Sequence, residues 1–255
     1  MISRTMRAWI SGAALAIVPS TSGPALAHPH VWVSVETTVM YDGGTVTGLR
    51  QRWLFDEFYT SMAIQGLDKN GDGKYDREEL AELTAINIDG LKEFSYFTFP
   101  KLGDQALEFS GATDFFMELT DSDQAPNPSG ASAEEPKQEG GFWSRLTQSL
   151  TGSAQEKPQV LALEFTLPLA KPVLAEAEGF NFSTQDPTFF IWFDLVKDNP
   201  IRLASNAPEG CKANVTGPSH GMAELQQLGE AAFEQNDGVS FNIGQARTVT
   251  VSCPR

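Results

Sequence analysis

Alternation of apolar and polar residues is the clearest pattern in the chain. In "VWVSVE", Val31, Val33 and Val35 alternate with Trp32, Ser34 and Glu36, the period of two expected of a half-buried strand. "YDGGT" at Tyr41 to Thr45 supplies turn residues and "VTGLRQRWLF" follows it, so a long β-hairpin is predicted from His30 to Phe55. The period then changes. "DEFYTSMAIQGL" and "REELAELTAINIDGL" consist largely of helix formers, and Leu80, Leu83, Ile88 and Leu91 fall near one face of the second. Strand-like runs return at "FSYFTFP", "ALEFS" and "DFFMELT", then at "VLALEFTLPL", "PTFFIWFDLV", "IRLAS", "CKANVTG" and "RTVTVSC". A helical candidate, "SHGMAELQQLGEAAFEQ", precedes the last of them. Many short strands and few helices predict a mainly β fold: an antiparallel β-sandwich-like domain carrying an inserted helix-loop-helix over residues 56–91.

Two stretches break this pattern. Residues 1–27 combine Arg4 and Arg7, the apolar run "AWISGAALAIVP" and a small-residue "ALA", which predicts a secretory signal peptide cleaved after Ala27. The β-rich domain then occupies 28–255. Residues 121–157 lose apolar periodicity and gain Pro, Ser, Gly and Glu, a composition predicting a flexible, disordered insertion. Within it Phe142, Trp143, Leu146 and Leu150 fall at helical spacing. They are either a docking point for a partner or membrane surface or a segment that packs on its own domain.

Export changes how charge and cysteine are read. The whole chain has a net charge of -15; losing Arg4 and Arg7 and no acid takes the mature chain to -17. Such a surface repels nucleic acid and attracts cations. Cys211 and Cys253 are the only cysteines, and an oxidising compartment favours their pairing as a disulfide, with a zinc site as the alternative. The periplasm is the predicted location.

The most specific local pattern is "DKNGDGKYDREE", which fits the twelve-residue calcium loop of an EF-hand. Asp68, Asn70, Asp72, Lys74, Asp76 and Glu79 stand at the six ligand positions, with Gly73 at the sharp turn. Ca²⁺ takes hard oxygen ligands, so short carboxylates and an amide close in from alternate residues, Lys74 gives its backbone carbonyl and Glu79 can offer both oxygens. With one loop and not a pair, a structural clamp is the expected role.

Two of the three histidines flank Pro29 at the predicted mature N-terminus. His28 would carry a free α-amine beside its imidazole, and His30, two residues on in extended chain, turns to the same side. Nitrogen donors of this kind suit Zn, Cu or Ni better than Ca or Mg. Either His28 and His30 hold a transition metal (Ni²⁺, Co²⁺ or Zn²⁺) or they are exposed strand-end residues.

Taken together, "HPHVWV", "RQRWLFDEFYT", "GLDKNGDGKYDREEL", "YFTF", "TDFFMELTD" and "DPTFFIWFDLVKDNPI…APEGC" resemble an uncharacterised family of bacterial exported proteins, labelled as the periplasmic component of an ABC-type transport system. The resemblance covers His28 to about Val215, and the insertion departs from the pattern. It implies association with nickel/cobalt-type metal transporters and supplies no catalytic residues. The expectation is a non-enzymatic periplasmic accessory protein that exchanges a transition metal with a membrane transporter. The alternatives are a calcium-stabilised protein-interaction module without transition-metal binding, and a copper histidine-brace oxidase using His28 and His220. H-E-x-x-H does not occur, so the sequence carries no metalloprotease motif of that kind.

Overall fold

A computed structural model describes residues 30–126, 159–177, 179–188, 190–217 and 247–254. The predicted signal peptide, His28, the Phe142 to Leu150 segment, His220 and the helical candidate around it lie outside the described residues. In chain order the elements are β1 (Val31–Asp42), β2 (Thr45–Phe55), α1 (Glu57–Ala63), α2 (Ala81–Glu93), β3 (Thr98–Leu102), β4 (Gln105–Ala106), β5 (Thr113–Asp121), β6 (Gln159–Leu174), β7 (Phe180–Thr184), β8 (Ile191–Leu195), β9 (Ile201–Leu203), β10 (Lys212–Thr216) and β11 (Thr248–Ser252).

The chain is mainly β, in two sheets. The first runs β5-β6-β2-β1-β8, with β9 also on β1; the second runs β10-β11-β7-β3-β4. The hairpin forms as its alternation predicts, with Val35 opposite Trp53 and Asp42 opposite Thr45. Two pairings correct the expectation of an antiparallel sandwich. β1 runs parallel to both β8 and β9, Val33 facing Phe193 and Thr38 facing Arg202. Parallel neighbours need a long crossover, and here the chain between β1 and β8 builds most of the fold before returning to that edge.

One face of the first sheet carries two cores side by side. Val33, Val35, Trp53, Met117, Leu163 and Phe165 are roofed by α2 and the turn ahead of it, through Leu80 and Ile88. Farther along the same strands, Val39, Tyr41, Val46, Leu49 and Leu169 meet Phe180, Phe182, Val249 and Val251 of the second sheet. Fully burying side chains of this size is worth roughly 1.5–3 kcal/mol each. Between the cores lies a buried polar chain. The Thr37 hydroxyl donates to Gln51 Oε1 at 2.7 Å, and Gln51 Nε2 donates to Thr98 Oγ1 at 3.4 Å. At Gly48, where the β2–β6 register shifts, a Cβ would run into the Leu167 carbonyl oxygen.

Element boundaries differ from the sequence pattern at several points. "FSYFTFP" begins not as a strand but as a left-handed turn, with Ser95, Tyr96 and Phe97 all at positive φ (53°, 54° and 47°). Such backbone costs roughly 1–2 kcal/mol per residue. It is held by Phe94 stacked on Phe97 and by the buried Tyr96, whose hydroxyl accepts from the Ala112 N–H. The helical segment extends past residue 91, since α2 reaches Glu93. The predicted insertion starts too early at 121: Ser122 is buried, its hydroxyl accepts from the Gln124 N–H, and Gln124 Oε1 accepts from the Asp198 N–H. Its remainder, 127–157, lies outside the described residues.

Cys211 and Cys253 form a disulfide. It extends the antiparallel pairing of β10 and β11, in which Lys212 faces Ser252. Among the described residues no helix is long and apolar enough to cross a membrane.

Candidate metal centre

The loop from Asp68 to Glu79 joins α1 to α2, and its acidic side chains are turned onto its own backbone. Asp68 accepts from the N–H groups of Gly71 and Gly73 at 2.7 and 3.0 Å, Asn70 from Asp72 at 2.8 Å, and Asp72 from Lys74 at 2.8 Å. Asp76 accepts from Glu78 and Glu79 at 2.8 and 2.9 Å, capping the turn that leads into α2. Gly73 sits at φ +76°, the left-handed conformation that the sharp turn requires. Glu79 alone among these residues is buried. Its carboxylate reaches back across the loop to the N–H groups of Lys69, Asn70 and Asp76, at 2.8, 3.2 and 3.3 Å.

This donor set fits a hard cation. Four carboxylates, one amide and the Lys74 carbonyl offer only oxygen, on a backbone already folded into the successive turns such a loop needs. Among the described residues, however, no group of three or more His, Cys, Asp or Glu converges so as to hold a metal ion as it stands. Two positions of the six are an amide and a backbone carbonyl, at Asn70 and Lys74, and Glu79 faces N–H groups. The structure therefore brings the six predicted residues into one loop without gathering their carboxylates around a point.

The loop is fastened to the sheet by residues that the sequence reading did not single out. Arg77 pairs with Glu118 of β5 at 2.7 Å and lies 3.5 Å above the Phe116 ring. Thr60 of α1 accepts from the Leu161 N–H at 3.0 Å, joining that helix to β6. Nothing local in the sequence marks either contact, because each partner lies far along the chain. Asp56, by contrast, carries a legible sign, an acid just ahead of a helical stretch. It caps α1 by accepting from the Tyr59 N–H at 2.8 Å and also accepts from the Trp32 N–H at 2.9 Å. Burial, reinforced by the Asp56 charge, pushes the Tyr59 hydroxyl above its ordinary pKa.

Of the two predicted transition-metal residues, only His30 is described. It is exposed just ahead of β1, with its ring 4.9 Å from that of Phe190 and its N–H donating to the Phe190 carbonyl at 2.9 Å.

The sequence profile described as a protein of unknown function, DUF1007, matches residues 13–253. The chain belongs to that family. This DUF1007 chain is 21% identical over 231 residues to an uncharacterized protein of Haemophilus influenzae, covering 89% of this chain and 92% of the other. It is also 41% identical over 54 residues to an uncharacterized 15.5 kDa protein of Spirochaeta aurantia, covering 21% of this chain and 39% of the other. No solved structure matches it.

Proposed function

We propose that this DUF1007 protein is an exported, non-enzymatic accessory of transition-metal transport whose helix-loop-helix is clamped by calcium. The observation that carries the calcium part is the buried Glu79 carboxylate reaching across a loop of successive side-chain-to-backbone turns. Calcium would draw oxygens from Asp68, Asn70, Asp72, Asp76 and Glu79 and from the Lys74 carbonyl, neutralising four like charges on one short loop. Because Arg77 joins the loop to β5 and Glu79 leads into the buried Leu80, order gained in the loop passes to the first sheet. This favours a stabilising clamp over a switch. Ligands binding only the native state stabilise by mass action.

The transition-metal part is supported by the chemistry of His28 and His30 beside a free amine at the predicted mature N-terminus, and by the exposure of His30. The transporter link follows from the resemblance of the motifs, and periplasmic export is in keeping with the disulfide.

One experiment tests both parts: mature protein, Glu79→Gln and His28→Ala/His30→Ala are dialysed against calcium together with nickel, cobalt or zinc, and bound metal is measured by elemental analysis. Calcium should disappear in Glu79→Gln with the transition metal retained, and the reverse should hold for the histidine pair. Unchanged calcium in Glu79→Gln refutes the clamp. Unchanged transition metal in the double variant refutes the histidine site.

A further inference from the structure

Among the described residues, eight large apolar side chains stand most open to solvent, and four belong to the two helices and the residue capping the second: Phe58 at 67%, Met62 at 56%, Ile86 at 64% and Phe94 at 52%. Phe58 and Met62 are four apart on α1; Ile86, Gly90 and Phe94 are spaced by four along α2 and its C-cap. Each set therefore follows one side of its helix. The residues next to Phe58 and Ile86 are Tyr59 and Asn87, which hydrogen-bond to each other across the helix pair at 3.3 Å. Each stripe therefore lies about 100° round its helix from that contact.

Gly90 gives an independent pointer to something that covers the α2 stripe. It lies inside α2, where glycine is unfavourable relative to alanine, and a Cβ there would meet nothing within 4 Å. No packing within the described fold calls for glycine at this position. A bare patch of helix backbone does suit close approach by an outside group.

The rim of the stripes is acidic. Glu57, Glu82, Asp89 and Glu93 are exposed on the two helices against Lys92 alone. We propose that the α1–α2 pair docks a basic, apolar amphipathic segment of another protein, its apolar side against Phe58, Met62, Ile86 and Phe94 and its cations against the four carboxylates. Charge selects this occupant. An anionic membrane surface is repelled by the rim, and a second copy of the chain brings the same four acids to the contact. Residues 127–158 of this chain carry four acids and three basic residues and offer no basic excess. The inference does not depend on calcium in the loop, because the stripes belong to the helices.

The test is a fluorescence-anisotropy titration of the full mature protein with a labelled model peptide, leucine at helical i, i+3, i+4 and i+7 spacing and lysine elsewhere. A sister peptide has glutamate in place of each lysine. The lysine peptide should bind and the glutamate peptide should not. Phe58→Ser/Met62→Ser and Gly90→Gln should each weaken binding at least tenfold with melting temperature kept, since these side chains are not part of the core. Glu82→Lys/Glu93→Lys should weaken it as well and acts through charge alone. Equal affinity for wild type and all three variants places the peptide elsewhere on the acidic surface and overturns the proposal. So does failure of the wild-type protein to bind, whether its own residues cover the stripes or nothing does.

Discussion

Single side chains in this protein often serve two elements at once, and Asp56 is the clearest case. One carboxylate caps α1 and holds the start of strand β1 through the Trp32 N–H. Loss of an N-cap costs about 1 kcal/mol, and removing the acceptor of the part-buried Trp32 N–H about 1–2 more. Asp56→Ala should therefore lower unfolding free energy by about 2–3 kcal/mol in urea titrations, whereas Glu57→Ala, at an exposed neighbour, should change it by less than about 0.5. The tyrosines set a pH limit. Burial raises the Tyr41 hydroxyl above its ordinary value, as it does for Tyr59, so unfolded chain releases these protons first. Stability on this account is fully present below the unfolded value of about 10 and declines as pH climbs through the folded values. Urea midpoints measured from about pH 9 upward should fall, and Tyr41→Phe/Tyr59→Phe should flatten the slope. The Tyr41 hydroxyl is buried with no hydrogen-bond partner among the described residues, so Tyr41→Phe alone should be neutral or stabilising at pH 7.

At the scale of elements, the hairpin, the helix pair and the C-terminal strand joined by its disulfide were legible because each is written locally. Alternation fixes which side of β1 is buried, and turn and cap residues mark its ends. The left-handed turn at Ser95–Phe97 was not legible: "FSYFTFP" has strand composition, and only the stacked Phe94–Phe97 pair and the buried Tyr96 hold a conformation these residues avoid on their own. The parallel place of β8 was hidden likewise, since strand composition names no neighbour. For the candidate site, the six loop residues could be read from spacing, but the Arg77 and Thr60 contacts to β5 and β6 could not. Gly90 lends itself to a direct measurement. Replacing an exposed mid-helix glycine by alanine should raise stability by about 0.5–1 kcal/mol, read as a shift of the urea midpoint at unchanged slope. A destabilised Gly90→Ala would show that α2 needs glycine for its own packing.

For the molecule as a whole, the first sheet is the common floor of both cores, and Gln51 bonds to both Thr37 beside it and Thr98 above it. Such shared support couples the helix-loop-helix to the second sheet. Calorimetry should accordingly give a single unfolding transition, which the calcium clamp proposed above would place at a lower temperature in chelator than in calcium. Two separated peaks would mean that the helical unit melts by itself.

The interior position of β1, between β2 and the β8/β9 edge, also bears on the order in which the chain can finish folding. Its inner edge is completed within a few residues by the hairpin, but the other edge waits for Ile191 and Ile201. A polypeptide delivered end-first therefore carries an unsatisfied strand at its leading end until some two hundred residues have arrived. Any species cut short before β9 presents that open rail to its neighbours, a template for aggregation.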